Sequence, residues 1–384
     1  MSLPRLLVID DNPDFGGHQV MAAYALEGMV AAGRWELLTL LHPENTKNHE
    51  RLGALRELYP EAPFTIDAAA TRTGKFQALR RYAEGNRLRN LAEQITAFNP
   101  DLILVIQGNI EQGCSIFHLQ GQLPCPLISY IPVPHRHAEM GAKLGSVRDW
   151  TCRGLYAVPD GFITISQTLG DMLLAYGARG RIQIVENGIP LKALQNLPSQ
   201  SDARAQFSLP QDGYIWGQIG RIEFKQKGQD CALQLFLQRE TRYPDEHLVF
   251  LGSGPDDHTL QALTAAHPRV HCLPWTNEPA VLYAAINALI LPSRYEGVPL
   301  AMLEALASGL PVAATDRDGM RDWLPASWRF PYRNLTAGQQ AMDAIRGAAP
   351  EQIQSLQARV LGNHSVANFQ QQFNQAIDAW LSVS

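Results

Sequence analysis

Two carboxylates, Glu296 and Glu304, lie within one short stretch from Ser293 to Thr315, SRYEGVPLAMLEALASGLPVAAT, whose residue types suit a charged ligand. Pro299 has the φ of a first helical residue already set. LAMLEALAS consists of strong helix formers, Gly309 supplies a left-handed stop, and Pro311 begins a β-branched strand. The spacing predicts loop, short helix, turn and strand. Such a helix leaves the N–H groups of about Val298 to Ala301 unpaired, and with the helix dipole they make an anion site. Glu304 falls about 7–8 Å along the axis from Pro299, and Glu296 lies on the other side of the same amides. A diphosphate held at Gly297, Val298, Pro299 and Leu300 would leave a sugar near Glu296 and a ribose near Glu304. A plain crossover helix with a solvated Glu at each end reads similarly. However, Glu304 is flanked by Leu300, Leu303, Leu306 and Ala307, where an unpaired charge is costly.

EGVPLAMLE resembles the Glu-x7-Glu motif of GT-B glycosyltransferases, especially the retaining enzymes of glycosyltransferase family 4. The resemblance implies an α/β chain of two Rossmann-like domains facing across a cleft. Residues 1–188 would form the acceptor side and 189–365 the nucleotide-sugar side, with a terminal helix over 366–384 crossing back. It also implies that Glu296 contacts the donor sugar and Glu304 the ribose hydroxyls. The strand YIWGQIG leads into Arg221-Ile-Glu-Phe-Lys225-Gln-Lys227-Gly228, similar to the family's Gly-Arg followed by Lys-Gly, whose cations bind the donor diphosphate. The spacing here is one residue longer; Lys227, beside Gly228, is favoured and Lys225 is the alternative. HLVFLGSGPDD is similar to the family's Gly-x-Gly-Pro and lacks the third glycine of a dinucleotide fingerprint. Beyond Thr315, Met320 and Asp322 stand where the family has Gly-Gly and Glu, and Asp316-Arg317-Asp318 reads as loop.

The activity that the resemblance implies is retaining transfer from a nucleotide-diphosphate sugar, UDP- or GDP-linked, to a glycan, lipid-linked or small acceptor, in cell-surface polysaccharide or glycoconjugate synthesis. A nucleoside diphosphate leaves already stabilised, so Arg221, Lys227 and the helix amides replace the acid that a glycosidase requires. Such a site needs no metal and no cofactor beyond the donor. A nucleotide-sugar 2-epimerase on the same fold and a catalytically silent partner are the alternatives; intact Glu296, Glu304 and Arg221 argue against the second.

The elements that must position these groups alternate as strand and helix throughout. LLVID reads as a buried parallel strand, followed by a loop with Gly16-Gly17 and an apolar-periodic helix ending at Gly33. The adjacent glycines fit either close approach to phosphate or acceptor, or ordinary turn chemistry. LISYI precedes PVPHRHAEMG at the carboxyl edge where α/β sheets bind ligands. The resemblance puts a histidine near the reacting sugar there, with His135 preferred and His137 in reserve. No third residue completes a zinc set around that pair. DGFITISQTLGDMLLAYGARGRIQIVENGI is similar to the family's strand, Ser turn, helix and Asn-Gly segment before the interdomain linker. At the end of the chain, Phe369, Phe373, Ile377 and Trp380 share one helical stripe.

Composition narrows the class further. With 384 residues, 46% of them hydrophobic, the chain can bury two proper cores. A net charge of −5 argues against bulk nucleic-acid binding. One segment runs against that balance: residues 72–89 carry Arg72, Lys75, Arg80, Arg81, Arg87 and Arg89, which suits either a solvated face or a peripheral membrane contact. Neither a spanning apolar run nor a secretory signal is visible, and five cysteines without a CxxC read as reduced core thiols. The expectation is a cytoplasmic protein, at most peripheral at the inner face of the membrane.

Overall fold

The computed structural model describes residues 2–80, 83–276 and 278–381, so Arg81 of the basic segment lies outside the described residues. The chain divides into two compact units, Met1–Gly188 with Val366–Ser384, and Ile189–Ser365.

The first unit is a seven-stranded sheet in the order β3-β2-β1-β4-β5-β6-β7. Its strands are β1 (Arg5–Asp10), β2 (Glu36–Leu41), β3 (Phe64–Ala68), β4 (Leu102–Ile106), β5 (Leu127–Tyr130), β6 (Gly161–Thr164) and β7 (Arg181–Ile184). All of these pairs are parallel. Leu6, Leu7, Val8, Leu102, Ile103 and Val105 are fully buried, as continuous apolar runs in a sheet covered on both faces must be. The edge strand β3 and the preceding helix Thr46–Leu58 escape a reading by pattern, since β3 buries only Phe64. The basic stretch is not one amphipathic helix: Gln77–Arg80 and Gly85–Phe98 are separate helices. The terminal helix Val366–Leu381 packs on helix Gly17–Ala32 and buries Phe369, Phe373 and Ile377, with the Phe373 ring edge-on to Tyr130. Trp380 donates from Nε1 to Gln183 at 2.9 Å.

The second unit carries a six-stranded parallel sheet, β10-β9-β8-β11-β12-β13. These are β8 (Tyr214–Ile219), β9 (Glu246–Leu251), β10 (Val270–Leu273), β11 (Ala288–Leu291), β12 (Val312–Thr315) and β13 (Arg329–Phe330). Strand order reverses between β8 and β11 here, and between β1 and β4 in the first unit. Loops leaving the carboxyl ends of two such strands run apart and open a crevice, where doubly wound sheets take ligands. Three of the five cysteines are core thiols, whereas Cys125 and Cys272 are half-buried, and all five are free. Among the described residues no helix is long and apolar enough to cross a membrane.

Candidate functional site

In the second unit the strand reversal brings two loops distant in sequence together. The loop after β8 holds Arg221, Lys225 and Lys227; the loop after β11 holds Glu296. Gly228 has φ +69°, and a Cβ there would strike the Pro292 carbonyl, so only glycine lets the two loops touch. Gly254 meets a comparable limit at the Ile222 carbonyl, and Phe224 N–H donates to Asp256 at 2.7 Å. Held in this way, the short helix Phe224–Lys227 aims Lys227 Nζ at Glu296 Oε1, 2.6 Å away, while Lys225 is exposed. Arg221 stays more than half exposed, with Glu223 at 3.6 Å.

Glu296 is 5% exposed and held from several sides. Ser293 Oγ donates to Oε1 at 2.9 Å, and Thr315 Oγ1 in turn donates to the Ser293 carbonyl at 2.6 Å. Its own N–H donates to Asp318 Oδ2 at 2.9 Å. Asp316 and Arg317 are loop as read, but Asp318 departs from that reading: it opens helix Asp318–Trp323 in a left-handed conformation, φ +48°, and braces the Glu296 backbone. Gly319 follows because a Cβ there would meet the Gly297 carbonyl and Val298.

The helix beyond begins one residue later than its sequence suggests. Pro299 has ψ 128° and is the N-cap of Leu300–Ala307, not its first helical residue. No side chain caps this end. Proline itself offers no capping oxygen, and so the first-turn amides point toward whatever binds there. Gly309, at φ +76°, ends the helix as expected. Glu304 is half-buried, and Tyr283 Oη donates to its Oε2 at 2.6 Å. Burial pushes the Glu304 carboxyl above its ordinary range, and the Tyr283 hydrogen bond pulls it part of the way back. Tyr283 and Asp318 were missed because they come from other elements, with no local signal linking them to Glu304 or Glu296, whereas Ser293 stands three residues before Glu296 in the same loop.

In the first unit, Gly16 caps helix Gly17–Ala32 with extended φ −151°, its N–H donating to Gln19 Oε1 at 2.6 Å. A Cβ on Gly17 would meet nothing within 4 Å, so neither backbone angle nor local crowding demands this pair of glycines. His135 and His137 lie on the loop after β5, and both are buried. The His137 ring is gripped between Glu111, 3.3 Å from Nε2, and Asp149, 3.1 Å from Nδ1. Burial pushes Glu111 up, but hydrogen bonds from His137 and Arg148 outweigh it and hold the carboxyl below its ordinary range. Among the described residues no group of three or more His, Cys, Asp or Glu is placed to hold a metal ion.

Beneath the same carboxyl edge lies a buried acid that a sequence reading passes over. Asp10 accepts from Asn48 Nδ2 at 2.8 Å, yet burial first and neighbouring Asp11 second raise its carboxyl to about 7. A raised folded-state value contributes stability that is complete below the unfolded value and is lost as pH climbs through about 7. Asp10→Asn, relative to the parent, is therefore expected to gain on the order of 2 kcal/mol between pH 5 and pH 8. Urea melts at the two pH values check this, and an equal difference at both would refute it.

Residues 214–345 match the model of the family described as glycosyl transferases group 1. An uncharacterized glycosyltransferase of Haemophilus influenzae is 36% identical over 99 residues, 25% of this chain and 28% of that protein. The O-antigen biosynthesis glycosyltransferase WclY of Escherichia coli is 30% identical over 137 residues, 35% of this chain and 37% of its own. The chain thus spans well under half the length of the curated relatives it matches. Among solved structures, sucrose-phosphate synthase of Thermosynechococcus elongatus superposes with TM-score 0.75 at 20% identity, covering 99% of this chain and 100% of that one. HepE of Anabaena, solved in complex with UDP-glucose, gives 0.74 at 16% identity over 98% and 99%. The chain has the GT-B fold, and its residues 214–345 carry the match to the glycosyl transferases group 1 family.

Proposed function

We propose that the chain is a retaining glycosyltransferase that takes a nucleotide-diphosphate sugar at the second unit and passes the sugar to a glycan or lipid-linked acceptor. The observation that carries this reading is the Lys227–Glu296 contact at the mouth of an uncapped helix whose Glu304 is braced by Tyr283. Lys227, Arg221 and the first-turn amides offer positive charge where a departing diphosphate develops negative charge, which makes the reaction metal-independent. Glu296 orients the sugar and Glu304 the ribose. Gly16, Gly17, His135 and His137 line the acceptor side, and no cofactor is required beyond the donor. WclY acts in O-antigen biosynthesis by its description, and HepE was solved with UDP-glucose, which supports a UDP-sugar donor and a cell-surface polysaccharide product. An activity of this kind belongs in the cytoplasm, peripheral at the inner membrane face. Segment 72–89 is one contact there, although Arg72 already faces Glu44 at 3.5 Å, and Arg80 and Arg87 face Glu84 at 3.6 and 3.0 Å.

A thermal-shift titration with UDP, GDP, ADP and their sugar conjugates tests the donor site. UDP at a hundredfold excess over its dissociation constant should add about 2.7 kcal/mol of stability. Glu304→Ala should lose most of that gain. No shift with any nucleoside diphosphate would remove the reading.

A further inference from the structure

Helix Gly145–Cys152 in the first unit turns an apolar stripe to solvent. Leu144 is 66% exposed, Val147 50% and Trp150 63%. Val147 and Trp150, three residues apart, share one helical face, and Leu144 is the N-cap residue just before the helix. None of the three serves the core, and Leu144 is held in a left-handed conformation, φ +54°. A bulky residue pays for that backbone with about 1–2 kcal/mol, and here the cost secures no burial inside the protein. Phe76, which precedes helix Gln77–Arg80, is left-handed as well, at φ +58°. That short helix packs against Gly145–Cys152 and exposes Leu79 by 47%.

Exposed Lys143 and Arg153 flank the stripe in sequence, with the Arg153 guanidinium over the Trp150 ring at 5.4 Å, and Lys75 is exposed just ahead of the packed helix Gln77–Arg80. The acid within the helix, Asp149, is turned inward, where it accepts from the backbone N–H groups of His137 and Ala138 at 2.6 and 3.0 Å. Exposed Leu, Val and Trp on one face with flanking Lys and Arg is the chemistry of a helix lying in a lipid headgroup layer. A partner protein's apolar groove would make no use of the cations.

We propose that Leu144, Val147 and Trp150 form an interfacial anchor that seats the first unit on an anionic lipid bilayer, with Lys143, Arg153 and Lys75 facing the headgroups. The anchor stands independently of the donor chemistry. Its test is co-sedimentation of the full chain with phosphatidylcholine vesicles, with and without 30% phosphatidylglycerol, in the absence of nucleotide. The chain should bind the anionic vesicles, and Lys143→Glu, which changes the charge by two, should weaken binding roughly thirtyfold. Leu144→Ser with Trp150→Ser should weaken it at least tenfold while the melting curve stays that of the parent. Failure of the parent to bind anionic vesicles overturns the proposal, as does equal binding by Lys143→Glu. A dimer in solution that Trp150→Ser dissociates would also overturn it, by assigning the face to a second copy.

Discussion

Lys227→Ala is expected to lower nucleotide-sugar turnover by about 10²–10³-fold, the usual cost of one preorganised group at a developing negative charge. The ammonium lies 2.6 Å from Glu296 Oε1, so cation and carboxylate are directly paired. Bound diphosphate would compete with Glu296 for the same cation. Both residues then act on one ligand and on each other, and their losses cannot add. Lys227→Ala with Glu296→Ala should fall little below the weaker single variant. Lys225→Ala, at an exposed position on the same short helix, should stay within about threefold of the parent, since surface changes away from a site cost little. Release of nucleoside diphosphate from the sugar conjugate measures all four proteins. Near-parental turnover by Lys227→Ala would mean that the ion pair only ties two loops together.

The contrast between Lys225 and Lys227 marks how far sequence reasoning reaches here. Glu296, Glu304 and the stop at Gly309 were legible because they belong to one continuous stretch, where helix propensity, spacing and turn chemistry are local quantities. Choosing between two lysines two residues apart needs facts that no local pattern holds. These are the adjacency of β8 and β11, and the room that Gly228 leaves for the Pro292 carbonyl. Tyr283 and Asp318 stayed hidden for the same reason, each reaching a glutamate from a separate element. Pro299 failed differently. Its fixed φ suits both the N-cap and the first helical position, and ψ, which decides between them, is set by the loop before it. The strand β3 was illegible because, at the sheet edge, it carries little of the apolar signal that marks β1 and β4.

Glu246→Ala is expected to destabilise the second unit by about 3–5 kcal/mol, the cost of leaving a buried charge without its partner. Glu246 opens β9 and is fully buried, as is Arg239, which donates to it from Nε at 2.9 Å and from Nη2 at 3.0 Å. Arg346 adds a third donor to Glu246 at 2.9 Å, and Arg239 also reaches Asp343 at 2.7 Å. The carboxylate therefore joins the ends of helices Gln229–Leu237 and Leu335–Arg346 to the sheet. Its removal takes the main partner from Arg239, which keeps Asp343, and one of two partners from Arg346, which keeps Asp245, and neither guanidinium can shed its charge. For a unit of this size the loss corresponds to a melting temperature lower by roughly 10 °C. Replacing both Arg239 and Glu246 by Met and Leu should recover most of it, because an apolar pair of similar volume removes the desolvation cost of both ions. The network sits at the amino end of β9, whereas the ligand loops leave the carboxyl ends of β8 and β11. UDP should consequently bind the folded fraction of Glu246→Ala with parental affinity at a temperature well below its melt. A change in that affinity would show that the two ends of the sheet are coupled; a melt within about 2 °C of the parent would show that the ion network contributes little net stability.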